Sequence, residues 1–353
     1  MAKEQLHNLK QTSNSFQCRG IVMGTESKKF YKDGIGSNKD GISVNFGVNI
    51  ADKKSVFINL TAYPRKEVYY HKKGENGAKG TTKAVVWKDR KKSPGEGYRL
   101  IGTTISTGKD DEGNNINTTF AEYDAVNWLH DNLKDGDSVF IKGKIEFRSW
   151  TDKNGQTIKS VNLVPNQISY TKKPIDFDEE DFTEMCEFEN TLVFQSIDKE
   201  EDENGKHTGR AILSGYSIGY NSVENVSFII PAEQEKLAKN LHKAMKTGYS
   251  IKTYGRVNVV IDTTTVEDES GWGDVSPMER LNAPVRREYI VYRADPNSIE
   301  KKDYDEDSIN EAIRKIKAAK TAKENFGEKP NIDVTVDDDD WGSDDDLDED
   351  NPW

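Results

Sequence analysis

Cysteine is nearly missing from this chain: Cys18 and Cys186 are the only two in 353 residues. Two isolated thiols make neither a disulfide framework nor a zinc site, so both are expected to be buried and free. Long apolar runs are also missing, and no stretch approaches a membrane span. The first residues, Met1 to His7, lack the apolar core of a signal peptide, which points to the cytoplasm. Catalytic signatures are missing as well. The chain has no Walker loop, no G-x-S-x-G, no H-E-x-x-H and no cysteine cluster. Gly34-Ile35-Gly36 lacks the strand-turn-helix setting of a phosphate loop, and His130 and His242 have no plausible metal partner. Neither enzyme activity nor a cofactor is expected.

What is present is charge, unevenly divided. The net charge is −12, yet residues 1–172 hold 28 Lys and Arg against 19 Asp and Glu. Residues 173–326 hold 21 against 31, and residues 327–353 hold 1 against 12. A basic first part is therefore joined to an acidic second part and a strongly acidic tail. Only the first offers a surface for an anionic partner. The tail, 327–353, carries too many like charges and too little apolar surface to fold, so it is expected to be disordered. Its last residues, Asp348, Glu349, Asp350, Pro352 and Trp353, combine carboxylates with one large ring. That combination suits insertion into a basic-rimmed pocket on a partner protein.

Sliding the chain by 112 residues exposes an internal repeat. Leu129, His130, Leu133, Lys134, Gly136, Ser138, Val139, Gly143, Lys144 and Ile145 lie over Leu241, His242, Met245, Lys246, Gly248, Ser250, Ile251, Gly255, Arg256 and Val257. Each copy reads as the end of a helix, a glycine turn and a strand with an internal glycine. Three alternating segments precede the helix in each copy and a second strand follows. That order predicts two tandem five-stranded Greek-key barrels of the OB-fold type in a mainly β chain. Gly143 and Gly255 are expected where the barrels bend. The expected division is a first barrel over 1–172 with a basic insertion at 66–100 and a linker at 173–185. A second barrel over 186–299, a helix over 305–326 and the tail follow. The helix is expected to open with a capping box at Ser308 and Glu311.

Alternation identifies the surface. Between 139 and 150, Val139, Ile141, Ile145 and Phe147 share one face; Phe140, Lys142, Lys144, Arg148 and Trp150 share the other. The first set builds a core, and the second interleaves cations with rings. Unpaired nucleic acid presents phosphates for the cations and base faces for the rings. In the segment 57–63, Phe57 and Tyr63 point outward, with Arg65 and Lys66 directly after. The insertion adds Tyr70 and Trp87 among many lysines and is expected to be a flexible hairpin that wraps the strand. In the second copy the corresponding outward face has fewer rings and sits among acidic residues.

Four segments resemble the bacterial single-stranded DNA-binding protein family: Val44–Val48, Phe57–Tyr63, Leu133–Gln156 and Asp348–Trp353. The resemblance covers residues 14–172 and the tail, about half of the chain. It implies that Phe57, Tyr63 and Trp150 stack on bases and that the acidic tip engages replication, recombination and repair proteins. It further implies sequence-independent binding of single-stranded DNA in the bacterial cytoplasm. A fused second barrel departs from a one-barrel tetramer and implies a monomer or homodimer. The long insertion and the tip ending in Trp353 are similar to phage-encoded replication proteins, whose setting is an infected host. Two alternatives stay open at this level: an OB-fold interaction scaffold recruiting partners through the acidic part, and an RNA-binding protein.

Overall fold

The computed structural model describes residues 5–36, 39–74, 78–151, 156–202, 204–261, 285–301 and 303–325. These residues are mainly β and divide into two compact units. One is built on Asn14–Cys186, the other on Glu187–Ile316 together with the N-terminal residues up to Ser13. No helix among the described residues is long and apolar enough to cross a membrane. Cys18 and Cys186 are both buried and form no disulfide among the described residues.

The first unit runs β1 (Asn14–Met23), β2 (Tyr31–Ile35), β3 (Gly41–Ala51), β4 (Lys54–Ala62), β5 (Glu67–Lys72), β6 (Thr81–Val86), β7 (Arg99–Leu100), β8 (Thr103–Lys109), β9 (Asn115–Phe120), α1 (Glu122–Asn132), β10 (Ser138–Thr151) and β11 (Thr157–Tyr170). Five strands close on themselves. β1 pairs antiparallel with β3 and β10, β3 with β4, and β10 with β11. β11 returns to β4 as a parallel neighbour at Leu163 and Ile58. Closure leaves no open edge within the ring. Alternate residues turn inward, so Val22, Phe46, Ile58, Leu60, Ile141 and Ile145 form the core. Helix α1 buries Ala125, Val126 and Leu129. Outside the ring, β8 and β9 form a hairpin that joins β11. That hairpin and β2 had no counterpart in the strand pattern read from the sequence.

The second unit runs β12 (Met185–Glu201), β13 (His207–Ile218), β14 (Val223–Ile230), α2 (Glu235–Ala244), β15 (Ser250–Ile261), β16 (Val285–Glu300) and α3 (Glu306–Asn325) as far as Ile316. Its ring has the same connectivity: β12 pairs with β13 and β15, β13 with β14, and β15 with β16. β14 meets β16 in parallel at Ile229 and Ile290. The repeated glycines have one cause. A β-carbon on Gly143 would strike the Phe16 ring and the Val164 carbonyl; on Gly255 it would strike the Phe188 ring and the Ile290 carbonyl. A strand register shift begins at each of the two glycines. The interiors differ at one repeated cross-strand pair. Cys18, opposite Ile141, is apolar. Asn190, opposite Thr253, is fully buried, with no partner for its side-chain amide among the described residues.

Two boundaries depart from the sequence reading. Residues 5–13, expected in the first barrel domain, pack in the second unit. Leu9 is buried with Val193, Ile218, Tyr304, Ile309 and Ala312. The Thr12 amide donates to the Ile218 carbonyl at 2.8 Å, and the Tyr304 hydroxyl to the Lys10 carbonyl at 3.1 Å. Two leucines, Leu6 and Leu9, among polar residues give no sign of a seat until the helix and the barrel supply one for Leu9. Helix α3 begins two residues before Ser308. The Ser308 amide and hydroxyl both donate to Asp305, at 2.8 and 2.7 Å, so Asp305 is the capping side chain. Those bonds hold the Asp305 carboxyl below the usual range.

Candidate nucleic-acid interface

Strand β10 builds the site. Val139, Ile141 and Ile145 are buried, while Lys142 and Lys144 are exposed and Phe140, Arg148 and Trp150 are half-buried on the opposite face. The Lys142 ammonium lies 5.3 Å from the centre of the Phe140 ring. Pairing with β1 stops at Phe16 and Gly143, and the Asn14 side chain then accepts the Ile145 amide at 2.9 Å. Past that point β10 is accompanied by β11 as a two-stranded arm. Phe147, expected in the core, is therefore only half-buried. Arg148 pairs with Glu146 at 2.6 Å, which offsets part of the arm's positive charge. Trp150 sits opposite Ile158, itself 39% exposed.

Phe57 on β4 is 47% exposed. Since Ile58 pairs with Leu163 and Leu163 with Ile145, Phe57 lies two strand spacings, about 10 Å, across the barrel wall from the Lys144 side of β10. β1 adds two residues absent from the sequence-derived set: Gln17 opposite Lys142 and Arg19 opposite Phe140. Arg19 is also where residues 173–184 return to this face. Its guanidinium lies 5.8 Å from the Phe182 ring centre and donates to the Thr183 carbonyl at 3.0 Å. The Ile175 amide donates to the Ser138 hydroxyl at 2.9 Å, and Glu184 pairs with Lys54 at 2.8 Å. The expected linker is thus an acidic strap against the β1–β10 face, carrying Asp176, Asp178, Glu179, Glu180 and Asp181.

The insertion folds as a three-stranded sheet, β6–β5–β7, rather than as a flexible hairpin. Val68 and Tyr70 are buried against Ala121, with Trp87, Tyr98 and Leu100 packed around them. The Tyr70 hydroxyl donates to the Arg90 carbonyl at 2.6 Å, and burial raises its pKa. Trp87 meets Tyr123 edge-on at 6.3 Å, and Arg90 covers its ring at 4.3 Å. Arg90 in turn makes two bonds to Asp124, at 2.6 and 2.9 Å. Tyr70 and Trp87 therefore seat the sheet on α1, and the structure does not bring them to the β10 face. Alternation with Val68 carried this signal: Tyr69 is the outward ring. Arg65 pairs with Glu122 at 2.8 Å, and Lys66 is exposed. Tyr63 is half-buried, its ring lying where a β-carbon on Gly36 or Gly41 would be. Asp348, Glu349, Asp350, Pro352 and Trp353 lie outside the described residues.

A family model described as YorF matches residues 13–329. The chain belongs to the YorF family. No curated protein matches this YorF chain in sequence. Two solved structures of the single-stranded DNA-binding protein from Thermus aquaticus align with it. The wild-type protein does so at 10% identity and TM-score 0.37, over 81% of this chain and 93% of that one. A deletion mutant gives the same identity and TM-score over 81% and 94%.

The second barrel of this YorF chain handles the corresponding strand differently. Glu189, opposite Tyr254, takes the place that neutral Gln17 has in the first barrel, and Lys252 pairs with Glu189 at 2.7 Å. That bond raises the Lys252 pKa. Glu187 stands opposite Arg256, and Arg293 covers the Tyr254 ring at 5.0 Å. Cations and ring are thus already engaged by groups of the same unit.

Proposed function

We propose that this chain binds single-stranded DNA without sequence preference on the outer face of the first barrel, serving replication, recombination and repair. The observation that carries this reading is the β10 face, where Phe140 and Trp150 alternate with Lys142, Lys144 and Arg148. Rings stack on any unpaired base, and cations neutralise phosphates whatever the sequence. In this reading each five-stranded ring, with its helix between the third and fourth ring strands, is an OB-fold, twice in tandem. The first barrel binds the strand, and the second, with its internally paired charges, serves assembly as a monomer or homodimer. The acidic residues of 337–350 compete with DNA for the basic face at low salt and, once displaced, meet partner proteins.

The test is titration of the full chain with oligo-dT and with duplex of equal length, at low and moderate salt. Tryptophan quenching by oligo-dT is expected, much weaker with duplex and reduced by salt. Equal affinity for both would overturn single-strand binding.

The strap adds a second expected outcome. Changing Asp176, Asp178, Glu179, Glu180 and Asp181 to their amides removes five negative charges from the strap, which reaches Arg19 through Phe182 and Thr183. Exposed charge contacts are worth about 0.2–1 kcal/mol each, so oligo-dT binding should tighten by roughly tenfold at low salt. The gain should fade as salt screens the charges. An unchanged low-salt affinity would place the strand's path away from the strap.

A further inference from the structure

The sheet β6–β5–β7 has two faces, and only the inner one is used for packing on α1. On the outer face Tyr69 stands opposite Ala84, with Ile101 bonded to its carbonyl from the other side. Val86 lies diagonally beside it, and His71 and Arg99 form the next row. Tyr69, Val86 and Ile101 are 42%, 53% and 57% exposed. Residues 66–100 hold ten Lys and Arg against four Asp and Glu. On the outer face, among the described residues, Arg99 enters no ion pair, and Glu67 accepts the Tyr69 hydroxyl at 2.7 Å; Lys72 and Lys83 share the parity of Tyr70 and belong to the other face.

Three apolar side chains around one ring are few for a protein partner, since stable protein interfaces engage about 20–30 residues a side. A single base needs only one ring. The positive excess selects a polyanion. We propose that this outer face is a second platform for the same single strand, which passes Tyr63, stacks a base on Tyr69 and sets a phosphate against Arg99. The proposal rests on the single-strand reading above. Tyr63 and Tyr69 are six residues apart, so the chain keeps them within about 20 Å. At the 3.4 Å rise per nucleotide of a helical strand, that is about six nucleotides. Occupying the second platform thus needs a longer strand than the barrel face alone.

The experiment compares wild type, Tyr69→Ala, Tyr69→Phe and Phe57→Ala on oligo-dT of increasing length, read by anisotropy of the labelled oligonucleotide. Tyr69→Ala should match wild type on the shortest bound lengths and weaken binding about 5- to 150-fold on longer ones. Tyr69→Phe keeps the ring and should behave as wild type. Phe57→Ala should weaken binding at every length. Tyr69 is outside the core, so a thermal midpoint equal to wild type excludes misfolding, and Arg99→Gln supplies a second variant expected to flatten the salt slope on long oligonucleotides only. If Phe57→Ala weakens binding while neither Tyr69→Ala nor Arg99→Gln does, the second platform is refuted and the barrel reading stands. If Tyr69→Ala weakens every length equally, Tyr69 belongs to the primary site and the separate platform is wrong. If no variant has an effect, the barrel reading itself fails.

Discussion

Replacing Phe57 and Trp150 together by alanine is expected to weaken oligo-dT binding by about a hundredfold or more while leaving the barrel folded. Each ring stacks on one base, and each truncation costs about 1–3 kcal/mol. That is roughly 5- to 150-fold per ring. Neither residue belongs to the core: Phe57 is 47% exposed, and Trp150 lies on the arm beyond the β1 pairing. The thermal midpoint should therefore stay close to that of the wild type. Salt dependence separates rings from cations. The ring variants lose affinity by the same factor at every salt concentration, because they neutralise no phosphate. Changing Lys142 and Lys144 to glutamine should instead flatten the log–log salt slope, by about 0.7 per phosphate contact on a single strand. Anisotropy of a labelled oligonucleotide gives both quantities without using Trp150 as the reporter. An unaltered isotherm in the double variant would remove both rings from the site.

Glu288→Ala is expected to destabilise the second unit by about 3 kcal/mol without changing oligo-dT affinity. Glu288 on β16 is 5% exposed and takes Arg210 and Arg286 at 2.9 Å each. The Arg210 side chain is 26% exposed and lies 3.0 Å from Glu200. Removing one partner of a buried pair leaves a desolvated charge behind and costs about 3–5 kcal/mol. Arg210 keeps Glu200 and some solvent, which places the effect at the lower end. Arg286, 64% exposed, adds little. Urea unfolding checks the first half of the prediction through a lowered midpoint for the second unit, and titration checks the other half. An unchanged midpoint would mean that water already solvates Arg210. Lost oligo-dT binding with the fold intact would move the binding face into the second unit.

Much of the architecture was legible because it rests on local rules. Alternation along 139–150 separated the buried Val139, Ile141 and Ile145 from the cation and ring face. The matched glycines marked a requirement of closure, since a strand crossing a ring at 143 or 255 has no room for a β-carbon. The same rule was available for the insertion, where Val68 and Tyr70 turn inward and Tyr69 outward. Tyr70 was instead assigned to the surface because a basic, glycine-rich segment reads as a loop. Its strands pair across gaps that carry no period of their own. Phe147 followed the inward pattern correctly in parity. Its half-burial reflects the end of β1 pairing, which lies on another strand.

By itself the sequence determined the division of charge, the repeat, the strand parity within each barrel and the alternation of rings with cations on β10. All of these depend on neighbours a few residues apart or on composition. Only the tertiary structure decided what lies against that face: Arg19 brought beside Phe140, the acidic strap returning to Arg19 and Lys54, and, in the second barrel, Glu189 pairing with Lys252 where the first barrel has neutral Gln17. It also decided that Leu9 seats in the second unit and that Tyr70 and Trp87 serve packing. These are long-range pairings, set by which strands close the rings and which apolar seats they leave open, and no local pattern encodes them.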